Sequence, residues 1–294
     1  MNDALNIKIN RLIARKKYQT EEELKALLDS FIGQSVDDIE VGPITNEEKA
    51  EYIALGIMNK LENENLESMD NLNRMYLDGL DALKLCDTSE IVFEALFRIS
   101  PYETARSRYL QKAIAIGDKK YGGEYEKQYK GVFYQRSETR PYLRCMMQMM
   151  HRLREEKKYA EAIAFGEKII QRNKADNLGM RSYLQWLYIK TDEYDKFADL
   201  IETFPDEYEN HLNHALFIFQ IEGECEEAKQ ELEKGLEMNK FILPYLCHKK
   251  KMPKNYYPAA FSPKDESGAL NYCFIYLDLW RETFGVQGWL KKFL

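Results

Sequence analysis

The 294-residue sequence is poor in the two residues that interrupt helices, with 15 glycines and 8 prolines. Both residues are frequent in the turns of sandwiches and barrels, so their scarcity argues against those architectures. Leu, Lys, Glu, Ala, Met and Tyr dominate instead, and the 45% hydrophobic content is enough for a sizeable core. We therefore predict an all-α fold.

Long hydrophobic runs are also absent. No segment approaches the roughly twenty apolar residues that a membrane span needs, and the amino-terminal stretch lacks the apolar core of a secretory signal. Cysteine is sparse and scattered, without metal-binding or redox spacing, which is typical of free thiols in a reducing compartment. These observations predict a cytoplasmic protein, with signal-independent secretion into a host cell left open. The five cysteines are Cys86, Cys145, Cys225, Cys247 and Cys273.

Catalytic and ligand motifs are missing as well. The formal charge of −7 argues against a general nucleic-acid binder, and the sequence contains no nucleophile elbow, phosphate loop or zinc-protease motif. His211 and His214 have a spacing that could hold a metal with a third ligand, but such pairs are more often polar groups of a groove. We predict no enzymatic activity, no metal and no cofactor.

Helix-start patterns divide residues 1–130. At four places a side-chain oxygen acceptor precedes a glutamate by three residues, the arrangement that satisfies the free amides of a first helical turn. Amphipathic stretches run between these starts, so we predict an N-terminal helical bundle. The four acceptors are Thr20, Thr45, Asp87 and Ser100.

Internal repetition appears after residue 130. Three segments align when Ala162, Phe197 and Ala228 are placed in register, at separations of 35 and 31 residues. Each segment follows another amphipathic helix. A recurrent packing position in the second of two helices favours a stack of helix pairs.

Residues 140 to about 242 resemble tetratricopeptide repeats in degenerate form. The element around Glu138–Leu143, with later Pro-Tyr-Leu, Tyr-Tyr, Leu-Trp and Trp-Leu pairs, is similar to a set of bacterial tetratricopeptide-like proteins and to the suppressor-of-tumorigenicity-seven family. The resemblance implies a second domain over residues 131–294. It would be an α-solenoid whose first helices line a concave groove, closed by a C-terminal capping helix that starts near 262–265 and continues through Trp280.

The segment GVFYQRSETRPYLR, residues 131–144, has two interpretations. Pro141 fits the first turn of a helix, and Arg140 or Arg144 could pair with a carboxylate of a neighbouring helix, which describes a hinge. Alternatively, both arginines face the groove and hold an acidic side chain of a partner. The structural interpretation is favoured.

The function predicted from these features is non-enzymatic binding, and regulation, of another protein. Aromatic and polar side chains of the first helices would form the binding groove. The two-domain organisation also resembles the meta-effectors of intracellular pathogens, which restrain a companion toxin enzyme. The free protein is expected to be a monomer that binds neither nucleic acid nor membrane. The predicted partner-binding residues are Arg140, Arg144, Arg181, Gln185, Trp186, Tyr188, Asn213, His214 and Phe217.

Two alternatives remain at this point. An enzyme or small-ligand receptor would use the 131–144 segment with the 245–257 loop, in a deep pocket joining Arg140, His248 and Tyr256. A structural scaffold would self-associate through its exposed ends.

Overall fold

A computed structural model of the protein describes residues 3–15, 20–34, 39, 44–63, 69–205, 207–256 and 261–294. The chain divides into two compact units. Unit 1 comprises Met1–His151 with Gln171–Asn177, and unit 2 comprises Arg152–Ile170 with Leu178–Leu294. The predicted division between residues 130 and 131 rests on a change in sequence pattern and stays a prediction.

All regular structure in the described ranges is helical, which confirms the all-α prediction. The first seven helices belong to unit 1, the unit boundaries fall within the next two, and the remaining seven belong to unit 2. The helices are α1 (Asp3–Arg15), α2 (Glu21–Ser30), α3 (Asn46–Asn63), α4 (Met69–Leu85), α5 (Glu90–Ile99), α6 (Glu103–Tyr121), α7 (Gly123–Gln128), α8 (Arg140–Glu155), α9 (Tyr159–Arg172), α10 (Met180–Lys190), α11 (Tyr194–Thr203), α12 (Tyr208–Glu222), α13 (Glu226–Met238), α14 (Leu243–Leu246), α15 (Glu266–Glu282) and α16 (Val286–Leu290).

Two of the four predicted helix starts are confirmed. The hydroxyl of Thr20 accepts a hydrogen bond from the Glu23 amide at 3.2 Å. Thr45 and Glu48 form a reciprocal pair, because the Glu48 amide donates to the Thr45 hydroxyl at 3.2 Å and the Thr45 amide donates to Glu48 Oε2 at 2.9 Å. Each arrangement satisfies amides that have no partner within the helix.

The other two predicted helix starts, with Asp87 and Ser100 as caps, were wrong about the residue that precedes the helix. Helices α5 and α6 begin at Glu90 and Glu103, but the residues flanking them are Ser89 and Tyr102, neither of which caps the helix with its side chain. The Ser89 hydroxyl donates instead to Glu51 at 2.9 Å. The Ser89 hydroxyl, which could have capped α5, is therefore engaged by Glu51 of α3.

Helix α5 is the centre of unit 1. Nine of its ten residues are buried, and it packs against α3, α4 and α6. Burial on every face explains why its sequence, EIVFEALFRI, is almost continuously apolar. Its two carboxylates, Glu90 and Glu94, are also buried and must therefore be paired.

A glycine in α6 allows the aromatic ring of Tyr142 to approach the helix backbone. A Cβ atom built on Gly117 would lie 2.1 Å from Tyr142 Cδ2. We expect Gly117→Ala to lower the free energy of unfolding by about 1–3 kcal/mol, because the fully buried ring has little room to shift. Urea unfolding of this variant measures the loss. Gly56→Ala in α3, where a Cβ meets nothing within 4 Å, should instead be neutral or stabilising by about 1 kcal/mol; equal effects would contradict the packing argument.

Unit 2 contains the helix pairs α10–α11 and α12–α13. The register residues Ala162, Phe197 and Ala228 are all fully buried, as expected of packing positions. Close approach between helices also uses glycine, since a Cβ on Gly166 would lie 2.7 Å from Leu184 and one on Gly235 would lie 2.6 Å from Leu212. The pairs agree with the predicted repeats, and their stacking into a solenoid stays a prediction.

The predicted C-terminal helix is α15, which begins after Asp265. The Asp265 carboxylate accepts hydrogen bonds from the amides of Ser267, at 2.8 Å, and Gly268, at 3.4 Å. Ten of the seventeen residues of α15 are buried, and the helix packs against α10, α14 and α16. Its exposed residues Phe274, Asp278 and Arg281 recur at the spacing of one helix face, as expected of a terminal cap. That α15 closes a solenoid stays a prediction.

Candidate functional site

The first-helix face of unit 2, formed by α10 and α12, was predicted to be an exposed groove. Most of its predicted anchors are buried within the chain. The predicted residues buried on these two helices are Gln185, Trp186, Tyr188, Asn213 and Phe217. Their burial does not support the prediction that they contact a partner.

The chain's own helix α15 covers part of this face. Trp186 Nε1 donates to Asp278 Oδ1 at 2.9 Å, and the Tyr276 hydroxyl donates to the Ser182 carbonyl at 2.9 Å. Trp186, which was predicted to contact a partner protein, therefore contacts helix α15 of its own chain. Hydrophobic periodicity could not reveal this, because a helix face packs equally well on either kind of neighbour.

A chain of buried hydrogen bonds fixes α15 against α10 and α12. Gln185 Nε2 donates to Asn210 Oδ1 at 2.8 Å, and Gln185 Oε1 accepts from Asn213 Nδ2 at 2.7 Å. Asn213 Oδ1 then accepts from the Tyr272 hydroxyl at 2.9 Å, and that hydroxyl accepts from Trp280 Nε1 at 2.8 Å. Because an unpaired amide in this interior would be costly, the network favours one register of α15.

Glu209 is a buried carboxyl group beside this network. Its Oε2 accepts hydrogen bonds from the Ser182 hydroxyl at 2.8 Å and the Tyr276 hydroxyl at 3.1 Å. Burial raises the pKa of Glu209 above its usual value of 4.5, against the lowering effect of those two donors. The folded protein therefore favours the protonated acid more than the unfolded chain does.

This raised pKa predicts a pH dependence of stability. The contribution of Glu209 is fully present below pH 4.5 and is lost as the pH rises through the folded-state pKa. Glu209→Gln should remove this loss, so the variant should gain on the wild type between pH 4.5 and pH 7 by about 1.4 kcal/mol for each unit of pKa shift. Urea unfolding at both pH values measures the gain, with exposed Glu222→Gln on the same helix as control. If the free energies of unfolding of the wild type and of Glu209→Gln change in parallel with pH, Glu209 does not cause this pH dependence.

Arg181 and His214 are the predicted unit 2 residues that keep some exposure. Arg181 pairs with Glu207 at 2.8 Å, and its guanidinium lies 5.4 Å from the ring centroid of Phe204. His214 Nε2 lies 3.2 Å from the Tyr194 hydroxyl, and burial lowers the pKa of His214. Both predicted binding residues therefore keep a partly exposed side chain.

His211 and His214 both approach the same carboxylate, that of Glu231. His211 Nδ1 lies 2.7 Å from Glu231 Oε2, and His214 Nδ1 lies 3.7 Å from the same oxygen. In the part of the chain that the structure describes, no group of three or more His, Cys, Asp or Glu side chains is arranged to hold a metal ion.

The 131–144 segment leads into α8, as the sequence predicts, and lies within unit 1. Helix α8 begins at Arg140, and Pro141 lies in its first turn. The Thr139 hydroxyl donates to the carbonyls of Phe133 and Arg136, while Arg140 Nε donates to the Tyr134 carbonyl at 2.8 Å. The segment thus satisfies its own backbone acceptors, which gives it a fixed shape.

Arg144 makes an ion pair inside unit 1. Its Nε and Nη2 atoms donate to the two carboxylate oxygens of Glu94, at 2.7 and 2.9 Å. Glu94 is 2% exposed, and Arg98 on its own helix pairs with it at 3.1 Å. This is the neighbouring-helix carboxylate that the structural interpretation of Arg144 predicted.

A cleft of about 1000 Å³ lies in unit 1 beside the same segment. Arg140 lines it, but His248 and Tyr256 do not, and Tyr257, the last residue of the predicted 245–257 loop, lies outside the described residues. The other walls include α1 and the first turns of α3 and α5. Sequence reasoning missed these walls because no motif or spacing rule connects their polar residues with the 131–144 segment.

Comparisons with protein-family models, curated proteins and solved structures found no match. Within the described ranges, no helix combines the length and apolar character needed to cross a membrane. The geometry of the two units is therefore the basis for the functional argument.

Proposed function

We propose that the protein is a non-enzymatic module that binds, and thereby regulates, a partner protein. The observation that carries the proposal is a pair of exposed apolar side chains in unit 2, one at the C-terminal end of α12 and one in the turn between α15 and α16. Phe284 is 99% exposed and Ile221 is 61% exposed. Gln220 Nε2 donates to the Thr283 hydroxyl at 2.8 Å, which brings the chain segments bearing these two residues together. We call Ile221 and Phe284 the apolar corner.

The apolar corner replaces the first-helix face as the proposed contact surface, since α15 covers part of that face. Phe219, two residues before Ile221, stacks on Trp289 with ring centroids 4.7 Å apart, which holds the C-terminal end of α12 against α16. Rigid apolar anchors lose little entropy on binding and are frequent in the energetic centres of interfaces. Arg181 and His214 remain candidates for the polar margin.

The class of partner proposed is an effector or toxin enzyme, by the resemblance to meta-effectors. Restraint would result from occlusion of that enzyme, which needs no chemistry from this chain. The protein would fold in a cytoplasm and be monomeric when free. A self-associating scaffold would instead show concentration-dependent dimers in light scattering.

Replacing both corner residues tests the proposal. Ile221→Ser with Phe284→Ser should leave the unfolding free energy almost unchanged, because both side chains are exposed, and should weaken partner binding by at least about 30-fold, the loss of one interface hot spot. The measurement is capture of partners from the native cells, followed by calorimetry with the purified partner. Leu77→Ser, an exposed leucine of unit 1, is the matched control. Undiminished binding by the corner variant would assign the contact elsewhere.

A further inference from the structure

The cleft in unit 1 has walls of mixed chemistry. Its apolar lining includes Ile7 and Ile13 from α1 and Ile91 from α5. A cleft of about 1000 Å³ is at the upper end of the range that holds small ligands. The volume therefore admits a small molecule that carries both an aliphatic part and polar groups.

Charges of both signs line the cleft in nearly equal number. Its four basic residues are Arg11, Lys120, Arg136 and Arg140. Its five acidic residues are Glu47, Glu48, Glu51, Glu90 and Glu138. Because the two signs almost balance, neither a polyanion nor a polycation is favoured as a ligand.

One donor of the cleft is left without an acceptor. Arg11 Nη2 donates to Glu51, and Arg11 Nε lies 3.8 Å from Glu48 Oε1. Arg11 Nη1 is buried, and no described residue accepts a hydrogen bond from it. A buried guanidinium donor without a partner is costly, so it calls for an acceptor, and a carboxylate is its best geometric match.

The cleft also contains a carboxylate that no described residue binds. Glu47 lines the cleft beside Glu48, is exposed, and forms no hydrogen bond or ion pair with any residue in the described ranges. Buried Glu51 and Glu90, by contrast, are already engaged by Arg11 and by Lys120 with Tyr121. The cleft therefore offers one unused cationic donor, one unused carboxylate and an aliphatic wall.

We propose that this cleft binds a zwitterionic small molecule of the α-amino-acid or dipeptide class with an aliphatic side chain. The Arg11 guanidinium turns to bring Nη1 from its buried position to the ligand carboxylate, the ammonium group faces Glu47, and the side chain packs on the isoleucines. This inference goes beyond the partner binding proposed above and does not rest on it. The two are measured separately, so failure of one leaves the other standing.

Calorimetry of the full chain with L-leucine and with glycyl-L-leucine tests the ligand class. Binding of at least one with a Kd below roughly 1 mM is expected. N-acetyl-L-leucine and L-leucinamide, which each lack one charge, should bind at least about tenfold more weakly. Absence of binding by both probes, or equal binding of the charge-blocked analogues, would overturn the proposal.

Three substitutions locate the site. Arg11→Gln should weaken binding of the stronger probe by at least about tenfold, whereas Arg15→Gln should not. Arg15 also pairs with Glu48 on the same two helices but does not line the cleft. Glu47→Gln removes an exposed, unpaired carboxylate, so it should fold normally and still reduce affinity for the zwitterion. If Arg11→Gln fails to fold, Glu47→Gln decides, and unchanged affinity in it contradicts the assignment.

Discussion

Trp186→Ala should lower the free energy of unfolding by about 3–5 kcal/mol, the range for removal of a buried aromatic side chain. Trp186 is 4% exposed. The Arg154 guanidinium lies 4.1 Å from its ring centroid, the Tyr159 ring packs on it edge-on at 5.8 Å, and its Nε1 donates to Asp278. Truncation would leave a cavity and remove a hydrogen bond between α10 and α15.

Urea unfolding monitored by far-UV circular dichroism measures this loss. Arg181→Ala is the matched control from the same helix, because its partly exposed pair with Glu207 should contribute less than about 1 kcal/mol. A Trp186→Ala variant of normal stability that no longer captures a partner would restore the first-helix face as the binding surface. A lower free energy of unfolding of Trp186→Ala would instead show that Trp186 belongs to the core of unit 2.

Trp186 and Phe217 show what the sequence could and could not predict about the first-helix face. Helical periodicity correctly placed Trp186 and Phe217 in helices, but their burial does not support the predicted partner face, because residues 184–189 of α10 and 215–219 of α12 are all buried. It could not say that the neighbour covering that face is α15, nearly a hundred residues later in the chain. That information lies in long-range contacts such as the hydrogen bond from Trp186 to Asp278.

Local capping signals were reliable at two of the four predicted helix starts. Thr20 and Thr45 cap their helices as the sequence predicted. Near α5, the capping hydroxyl of Ser89 is used by Glu51, 38 residues earlier in the chain. The same limit explains the cleft of unit 1, since its Arg11 and Glu47 lie far from the 131–144 segment in sequence and carry no spacing rule.

Arg144→Met should also cost about 3–5 kcal/mol, because it leaves a buried carboxylate without its principal partner. Glu94 is 2% exposed and is held by Arg144 through two hydrogen bonds. Arg98 remains near Glu94, but its side chain is more exposed, at 29%, and the structure gives it a single contact of 3.1 Å. We therefore expect Arg98 to compensate only in part.

The double variant Arg144→Met with Glu94→Leu distinguishes the loss of the ion pair from the cost of leaving the Glu94 carboxylate buried without a partner. Apolar replacement of both members should recover most of the stability, since buried ion pairs often contribute little net free energy over apolar packing. Urea unfolding of the two single variants and the double variant gives the coupling energy. If the double variant is as unstable as the sum of the singles, Glu94 and Arg144 act independently. The stability of α8 on α5 would then come from the surrounding apolar side chains, and Arg144 would again be a candidate for partner binding.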